Sequence, residues 1–420
     1  MMGLPKPLGK YNVAFGDFEL RRINKLPGDD TPYAPPFRVF YPTNAKQPGS
    51  WKQLGSRAWL PDLHYTWGFC CAMLAPSSAL RRMILWVMAS TIHTMVWPFS
   101  HIHASVGSPF FPPPSEDEES RLPVVIFSHG LWACRTTYSA FCCDLASHGY
   151  VVVAVEHLDG SANMAKYVDH AGKKKWLPYS FATTPVANIT VDDRADQLNY
   201  RAKEITEVVR VLESLDEGLL TQGSNIVTSK TKLNVISMLH RLDLNHLAIS
   251  GHSFGGATAV MVSAMDNRFK CCLGLDVWWE PMESQKLEFN KSQSRVPMIL
   301  INTENFDWKA LREARMVFLN ARLESSTKER PLVTELMTIK GTVHQDQSDF
   351  PLIFKCVSKR MGFNGSIPPR KAKDVNIRAC LEFLQLNLLP PGSPFPQPVE
   401  VRPEDKDYLR IENTRQPIPQ

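Results

Sequence analysis

A pentapeptide at residues 251–255 constrains the fold of this chain more than any other feature. It reads Gly-His-Ser-Phe-Gly, a Gly-x-Ser-x-Gly pattern centred on Ser253, and a further glycine follows it. The apolar residues 247–249 predict a short buried strand, and the small and apolar residues 257–265 predict a helix. Such a turn lifts the serine clear of the sheet, beside the positive end of a helix. The pattern therefore predicts a nucleophile elbow rather than a glycine-rich turn that carries an ordinary serine.

This elbow predicts the fold class and the order of the remaining catalytic groups. Strand-turn-helix elbows of this kind belong to the α/β-hydrolase fold, in which a mostly parallel central sheet has helices on both faces. A hydroxyl is a poor nucleophile near neutral pH, so Ser253 needs a base, and the base needs an orienting acid. In this fold the chain order is serine, acid, histidine.

The base is identified by elimination. Of the 12 histidines, only His344 lies downstream of Ser253. It follows the apolar, extended-looking residues 332–339, and a loop after a late strand is where this architecture delivers its base. We therefore predict that His344 is the general base.

The acid has two candidates on pattern alone. Asp276 directly ends the predicted strand 271–275, whereas Asp307 lies a few residues beyond the next predicted strand, 296–302. Many enzymes of this architecture carry the acid after the later strand, which favours Asp307, but only Asp276 directly ends its strand. The residues leave the two nearly even, with Glu304 a distant third.

The oxyanion hole is predicted to use two backbone N–H groups. Residues 124–128 form a β-branched strand that runs into a His-Gly turn at residues 129–130. In this fold the loop after an early strand supplies one N–H and the residue after the nucleophile supplies the other, which indicates Leu131 and Phe254. His129 is predicted to brace the loop and to take no protons.

Several sequence blocks, in order, resemble the serine-dependent platelet-activating-factor acetylhydrolases of the lipoprotein-associated and intracellular type II group. The resemblance spans roughly residues 35–390. Its blocks are residues 127–131, 135–142, 145–150, 156–157, 251–258, 275–276, 301–304 and 343–344.

The resemblance implies a site and an activity. It assigns the acid to Asp276 and the oxyanion donors to Leu131 and Phe254, and it implies no metal and no cofactor. The expected reaction is calcium-independent, phospholipase A2-type removal of short or oxidised sn-2 acyl groups from a phospholipid. Platelet-activating factor would become its lyso form plus acetate. One departure is Trp132, which stands where the family's Gly-Leu-Gly turn has its second glycine.

Two other functions are compatible with the pattern. The first is a broader serine carboxylesterase or thioesterase of the same fold, with little preference for a phosphocholine headgroup. The second is a lipid-binding protein without turnover, which the intact set of Ser253, Asp276 and His344 argues against.

Composition restricts the partners and the compartment. A net charge of +5 over 420 residues argues against a dedicated nucleic-acid binder, and Lys173–Lys175 is the only compact lysine run. Six of the 9 cysteines fall in adjacent pairs and none has Cys-x-x-Cys spacing, which predicts a reduced cytoplasmic chain. The amino terminus lacks the apolar run of a secretory signal, and myristoylation of Gly3 is not expected.

The predicted organisation is one catalytic domain with additions. We expect a loose extension over residues 1–35, a catalytic domain over 36–390 with an insertion at 62–120, and a disordered tail over 391–420. Helical spacing of apolar residues predicts helices at 192–217 and 375–388.

The insertion contains an apolar segment at residues 83–97, preceded by two arginines. Fifteen residues fall short of the roughly 20 needed to span a bilayer. The segment predicts either a buried helix or a helix that lies in a lipid interface with tryptophan at both ends. Interfacial contact would make the protein peripherally membrane-associated.

Overall fold

The computed structural model describes most of the chain. The described residues are 3–21, 33–46, 57–74, 78–96, 100–111, 121–180, 188–220, 226–227, 233–288, 294–327, 332–360, 362, 364–389 and 402–412.

Thirteen strands lie within these residues. They are β1 (Asn12–Leu20), β2 (Phe37–Thr43), β3 (Ser105–Val106), β4 (Leu122–Ser128), β5 (Val151–Val155), β6 (Met164–Val168), β7 (Lys174–Pro178), β8 (Ile226–Val227), β9 (Leu242–His252), β10 (Phe269–Leu275), β11 (Met298–Thr303), β12 (Thr334–Ile339) and β13 (Leu409–Glu412).

Ten α-helices accompany them in the same described residues. They are α1 (Leu63–Leu74), α2 (Ala79–Val96), α3 (Ser139–Ser147), α4 (Val191–Asp216), α5 (Phe254–Met265), α6 (Lys309–Glu324), α7 (Phe350–Ile353), α8 (Lys355–Arg360), α9 (Pro369–Asn387) and α10 (Pro403–Lys406). None of the described helices has the length and apolarity that a bilayer-crossing helix requires.

The chain divides into two compact units built from discontinuous segments. The first unit comprises residues 1–122, 131–190 and 203–242, and the second comprises 123–130, 191–202 and 243–420. Each unit contains its own set of neighbouring strands.

The second unit contains a mostly parallel sheet with the strand order β13-β12-β11-β10-β9-β4. Strands β9 to β12 are parallel neighbours, and β13 pairs antiparallel with β12. All six residues of β11 are buried, as is typical of a parallel strand covered on both faces. Helix α5 packs against β10, and α9 packs against β10, β11 and β12.

The parallel arrangement brings the residues after these strands to one edge of the sheet. In the ladder His252 pairs with Leu275, and Leu275 pairs with Ile301. Ser253 and Asp276 therefore follow the carboxyl ends of adjacent strands, which is where open α/β sheets bind ligands.

The first unit contains the strand order β5-β2-β1-β3, with β8 paired to β1. Strand β2 is antiparallel to both β1 and β5, and α3 packs against β1, β2 and β5. A buried ionic network supports this unit. Arg38 donates to both carboxylate oxygens of Asp17 at 2.7 and 2.8 Å, and Tyr65 donates to Glu156 at 2.7 Å.

Two segments predicted to be loose form ordered structure instead, so that part of the sequence prediction is wrong. Strand β1 lies within the predicted extension. This segment is ordered because its apolar side chains Phe15 and Phe18 are buried. Strand β13 and helix α10 lie within the predicted tail. Asp405 of α10 is buried and binds Lys371 and Arg378, each at 2.6 Å, which anchors the segment on α9.

Three predicted helices are confirmed with shifted ends. The predicted 192–217 corresponds to α4, and 375–388 corresponds to α9, which begins six residues earlier at Pro369. The apolar segment 83–97 corresponds to α2, although Trp97 lies outside the described residues. The other domain boundaries stay predictions.

Candidate active site

Ser253 lies on the predicted strand-to-helix turn, between β9 and α5. Its φ of 57° and ψ of −119° place it in a sparsely populated region of backbone space. Its N–H donates to the Leu275 carbonyl at 2.9 Å, and its own carbonyl accepts from Trp278 at 3.1 Å. These two bonds hold the strained residue between adjacent strand ends.

The glycines around Ser253 are required by close backbone contacts. A Cβ atom at Gly251 would lie 2.1 Å from the Gly255 carbonyl oxygen, and one at Gly255 would lie 2.1 Å from the Ser128 carbonyl oxygen. Neither space admits a side chain, so the glycines of the motif permit the crossing of β4, β9 and α5.

Asp276 directly follows β10 and is fully buried. One carboxylate oxygen, Oδ1, accepts the Thr303 N–H at 2.6 Å, and the other, Oδ2, accepts the Thr303 hydroxyl at 2.6 Å. The same Oδ2 lies 3.0 Å from Nδ1 of His344. Thr303 thus fixes the carboxylate so that it faces the imidazole.

The two alternative acids have other partners. The Asp307 carboxylate binds the Arg312 and Arg315 side chains at 3.1 and 3.4 Å. Glu304 accepts the Gly341 N–H at 2.7 Å. The geometry therefore brings Asp276 to His344.

His344 begins a short 3-10 turn, His344–Gln347, after β12. Its ring is stacked on Phe306 with a centroid distance of 3.7 Å and an interplanar angle of 12°. The His344 ring also lies against the His252 ring, with a centroid distance of 4.3 Å and an interplanar angle of 35°. Two aromatic rings thus restrict the orientation of the imidazole, in addition to its bond with Asp276.

Asp346 anchors this turn from within. Its Oδ2 accepts the N–H groups of Val343 and Gly365, at 2.9 and 3.0 Å. Burial raises the pKa of the Asp346 carboxyl to about 6, against the lowering effect of these two hydrogen bonds.

Three of these supporting residues were not predicted from the sequence. His252 occupies the variable position before Ser253, which was a signal of its proximity to the nucleophile. Phe306 and Asp346 carried no such signal. Burial lowers the pKa of His252 well below its ordinary value, and the His344 charge lowers it further, so this ring is neutral near pH 7.

The two predicted oxyanion donors lie in different units. Phe254 is the first residue of α5, where N–H groups have no acceptor within the helix, and it belongs to the second unit. Leu131 follows Gly130 and belongs to the first unit. His129 is buried, and a ring nitrogen of His129 lies 2.8 Å from the Gly130 carbonyl oxygen, as expected for a residue that braces the loop.

The departure at Trp132 has a backbone consequence. Its φ is 58°, a left-handed conformation that glycine adopts without strain and that a large side chain disfavours. The Trp132 N–H donates to the Ser161 carbonyl at 3.0 Å, and the Trp132 ring packs edge-on against the Tyr179 ring. The turn therefore keeps the geometry that suits a glycine although a tryptophan occupies it.

A single group of potential metal ligands occurs in the described part of the chain. It consists of His252, Asp276 and His344, whose donor atoms all lie within 4.8 Å of one another. Two imidazoles and one carboxylate do not match the oxygen-rich ligand set of calcium. The short Asp276–His344 contact instead matches an acid that orients a general base.

A strained serine on a strand-to-helix turn, an Asp–His contact at the neighbouring strand ends and a mostly parallel sheet are the features expected of a carboxylic ester hydrolase of the α/β-hydrolase fold. The fold is also that of a solved ferulic acid esterase from Streptomyces cinnamoneus. That structure is similar to this chain with a TM-score of 0.60 and 17% identity, and the match covers 98% of this chain and 99% of that one.

The family follows from the sequence comparisons. The family model for platelet-activating factor acetylhydrolase, isoform II, matches residues 2–389. The platelet-activating factor acetylhydrolase of Canis lupus familiaris is 29% identical over 395 residues, or 92% of this chain and 77% of the relative. The Cavia porcellus enzyme of the same name is 29% identical over 388 residues, covering 91% and 77%. The chain belongs to the platelet-activating factor acetylhydrolase family.

Proposed function

We propose that this protein is a calcium-independent serine hydrolase that removes short or oxidised sn-2 acyl groups from glycerophosphocholines. Platelet-activating factor is the reference substrate, and its products are the lyso form and acetate. The observation that carries the proposal is the 3.0 Å contact between Asp276 and His344, beside the strained elbow at Ser253. Family membership supplies the substrate class.

The proposed reaction is acyl transfer to water in two steps. The Ser253 hydroxyl oxygen attacks the sn-2 ester carbonyl carbon while His344 accepts the hydroxyl proton. Asp276 holds the imidazole in the tautomer that presents its other nitrogen to Ser253. The N–H groups of Leu131 and Phe254 bind the oxyanion, and such a donor is worth about 3 kcal/mol.

Collapse of this intermediate breaks the ester bond. His344 donates its proton to the sn-2 oxygen, and the lysophospholipid leaves. The acyl group stays bound to the Ser253 oxygen. A water molecule then attacks the acyl-enzyme as His344 accepts the water proton, and the acid leaves as that proton returns to Ser253. The cycle requires no metal-bound nucleophile.

Substrate comparison tests this function. We expect hydrolysis of 1-alkyl-2-acetylglycerophosphocholine to exceed that of a long-chain phosphatidylcholine at least tenfold in kcat/KM, and EDTA to leave both rates unchanged. Equal rates on both lipids and on p-nitrophenyl acetate would favour the broader carboxylesterase instead. Loss of activity in EDTA would contradict the metal-free mechanism.

We propose further that α2 contacts a lipid surface. One side of α2 packs on α1, where Leu85 and Ala89 join Cys70 in a buried cluster. Its other side exposes seven large apolar residues: Leu80, Met83, Ile84, Val87, Met88, Ile92 and Met95. Such a concentration of exposed apolar side chains on one helix is typical of a surface with a partner.

The partner chemistry follows from the residues around this apolar surface. Trp86 is 37% exposed, and Arg81 and Arg82 lie exposed in the first turn of the helix. Tryptophan and arginine beside an apolar helix face suit the boundary between lipid headgroups and acyl chains. The occupant is therefore a phospholipid surface from which the enzyme draws substrate.

Vesicle binding tests this contact. We expect Met83→Lys/Val87→Lys to reduce cosedimentation with phosphatidylcholine vesicles at least fivefold while hydrolysis of a water-soluble short-chain ester is unchanged. Val317→Lys/Leu386→Lys is the matched control, since it replaces two exposed apolar side chains on other helices. Equal binding by both double variants would contradict the assignment.

We propose a cytoplasmic location. Eight cysteines in the described residues are free, and seven of them are buried, which suits a reducing compartment. Cell fractionation tests the proposal. The expected result is a cytosolic pool with a salt- or detergent-released membrane pool, and exclusive recovery in a secreted fraction would contradict it.

A further inference from the structure

Arg201 is a buried cation that contacts His129 and the Phe254 ring in the second unit. It lies on α4 and is 0% exposed. Its NH1 group donates to the His129 carbonyl at 2.8 Å, and its guanidinium carbon lies 4.6 Å from the centre of the Phe254 ring. Arg201 therefore contacts both chain segments that lead to the predicted donors, and these three residues all belong to the second unit.

The same carbonyl is part of a tight backbone junction. A Cβ atom at Gly255 would lie 2.6 Å from the His129 carbonyl oxygen. The end of β4 and the first turn of α5 thus already touch there. Arg201 adds a third element, α4, to this junction.

A buried guanidinium suits this task for chemical reasons. Removing a cation from water costs several kcal/mol, so its position is retained only with well-placed partners. The guanidinium is planar, so it stacks on an aromatic face and donates in its own plane at the same time. Lysine keeps the charge but has neither the fork nor the flat surface.

We propose that Arg201 is the positioning residue of the oxyanion hole. It fixes the Phe254 backbone through the ring and fixes the loop that leads to Leu131 through the His129 carbonyl. This inference rests on the proposed function, because it assumes that these two N–H groups bind the oxyanion. Arg201 itself does not touch the substrate.

Such a residue affects the transition state more than the bound substrate. Removing one oxyanion donor costs about 10²–10³-fold in kcat, and a misplacement near 1 Å costs up to about 10²-fold. We therefore expect Arg201→Lys to lower kcat by about 10- to 100-fold per active site with KM changed less than threefold. Active sites are counted by titration with a fluorophosphonate.

A tetrahedral mimic separates positioning from general damage. A short-chain alkyl trifluoromethyl ketone adds to Ser253 and places an oxyanion in the hole. Its inhibition constant should rise in Arg201→Lys by the same factor as kcat/KM falls. The inhibition constant of lysophosphatidylcholine, the released product, should stay within threefold of wild type.

Arg322→Lys is the matched control. Arg322 is also buried in the second unit, and it donates to the carbonyls of Ser294 and Val296, ahead of β11. These carbonyls lie at the amino ends of the parallel strands, at the edge opposite Ser253. The control should keep wild-type kcat and ketone affinity per titrated site, whatever its melting temperature.

The outcomes distinguish the inference from the function beneath it. A wild-type protein that is not labelled by the fluorophosphonate would refute the serine mechanism. Normal labelling of the wild type, with Arg201→Lys unchanged in kcat and ketone affinity, would refute the role of Arg201 alone. If Arg201→Lys does not fold, Phe254→Leu replaces it, because it removes the stacked ring and keeps the N–H. The same kinetic pattern is expected at smaller size, and its absence would overturn the proposal.

Discussion

The backbone of Ser253 is strained, and the strain can be measured separately from catalysis. A residue with a Cβ atom held in such a region costs about 1–3 kcal/mol, whereas glycine has no such cost. Glycine also raises the entropy of the unfolded chain, which offsets up to about 1 kcal/mol. We predict that the free energy of unfolding of Ser253→Gly is about 1 kcal/mol higher than that of Ser253→Ala.

Urea unfolding of the two variants checks this value. Both variants lack the hydroxyl, so the comparison does not depend on activity. A Ser253→Ala protein as stable as Ser253→Gly, or more stable, would show that the elbow is relaxed.

Matched substitutions at Asp276 and Asp307 test which aspartate orients His344. Asp276→Asn loses the carboxylate that faces Nδ1 of His344, and in a serine–histidine–aspartate site such a change lowers kcat by about 10⁴-fold. Asp307→Asn weakens contacts with Arg312 and Arg315 but leaves the Asp276–His344 contact in place, so we predict less than a threefold change. Steady-state kinetics on a short-acyl ester checks both, and the reverse ranking would move the acid to Asp307.

Asp346 predicts a pH dependence of stability. Its folded pKa of about 6 lies above the ordinary value of 3.8, so folding favours the protonated form. The contribution of the protonated Asp346 carboxyl to the free energy of unfolding is therefore fully present below about pH 4 and is lost as the pH rises through 6. Two pKa units correspond to about 3 kcal/mol at most.

The variant Asp346→Asn isolates this contribution, since its amide oxygen still accepts the Val343 and Gly365 N–H groups. We predict that Asp346→Asn becomes progressively more stable relative to wild type between pH 4 and pH 6.5. Thermal or urea unfolding at several pH values measures the difference. A difference that is constant over this range would contradict the raised pKa.

How far the site could be predicted depended on how each residue was marked. The sequence alone selects Ser253 from a local motif and His344 because only one histidine lies downstream, and both assignments stay predictions. Asp276 and Asp307 each follow a strand, so the residues alone left them nearly even. Phe306 was not predictable, because its stacking on His344 joins loops after different strands.

At the scale of elements, the ionic contacts of α10 predict that the carboxyl-terminal segment stabilises the sheet. Asp405 is buried between Lys371 and Arg378 of α9, and β13 directly follows on the edge of β12. Breaking a buried ion pair leaves an uncompensated charge, so we predict that Asp405→Asn lowers the free energy of unfolding by about 3 kcal/mol.

The exposed pair Lys309–Glu313 is the control for this prediction. Both side chains are more than half exposed, and Glu313→Gln should change the free energy of unfolding by less than about 0.5 kcal/mol. Urea unfolding measures both variants. An Asp405→Asn protein no less stable than Glu313→Gln would show that the segment contributes nothing.

Elements with a strong repeating pattern were predictable, and short ones were not. The long amphipathic helix α4 and the helix α9 were predicted within six residues at each end, because apolar spacing persists over several turns. The strand β1 was missed because prolines and glycines around it suggested a loose segment. Strand β13 has four residues and depends on its pairing with β12, which no local pattern encodes.

At the scale of the whole molecule, the two units carry different parts of the proposed function. The second unit contains Ser253, Asp276, His344 and the positioning residue Arg201. The first unit contains Leu131 and the apolar surface of α2. The proposed oxyanion donor Leu131 and the apolar surface of α2 thus belong to one unit, but they lie on different segments of it. Substitutions on α2 and at Arg201 therefore perturb lipid contact and chemistry separately.

The central claim is that Ser253 is the nucleophile of an ester hydrolase. The most direct measurement is stoichiometric inactivation by a fluorophosphonate, followed by mass spectrometry of the labelled peptide. We predict one adduct per chain, located on Ser253, with loss of short-acyl phospholipid hydrolysis in proportion to labelling and no adduct in Ser253→Ala. Folded protein that carries no adduct at Ser253, or a Ser253→Ala variant that retains wild-type hydrolysis, would contradict it.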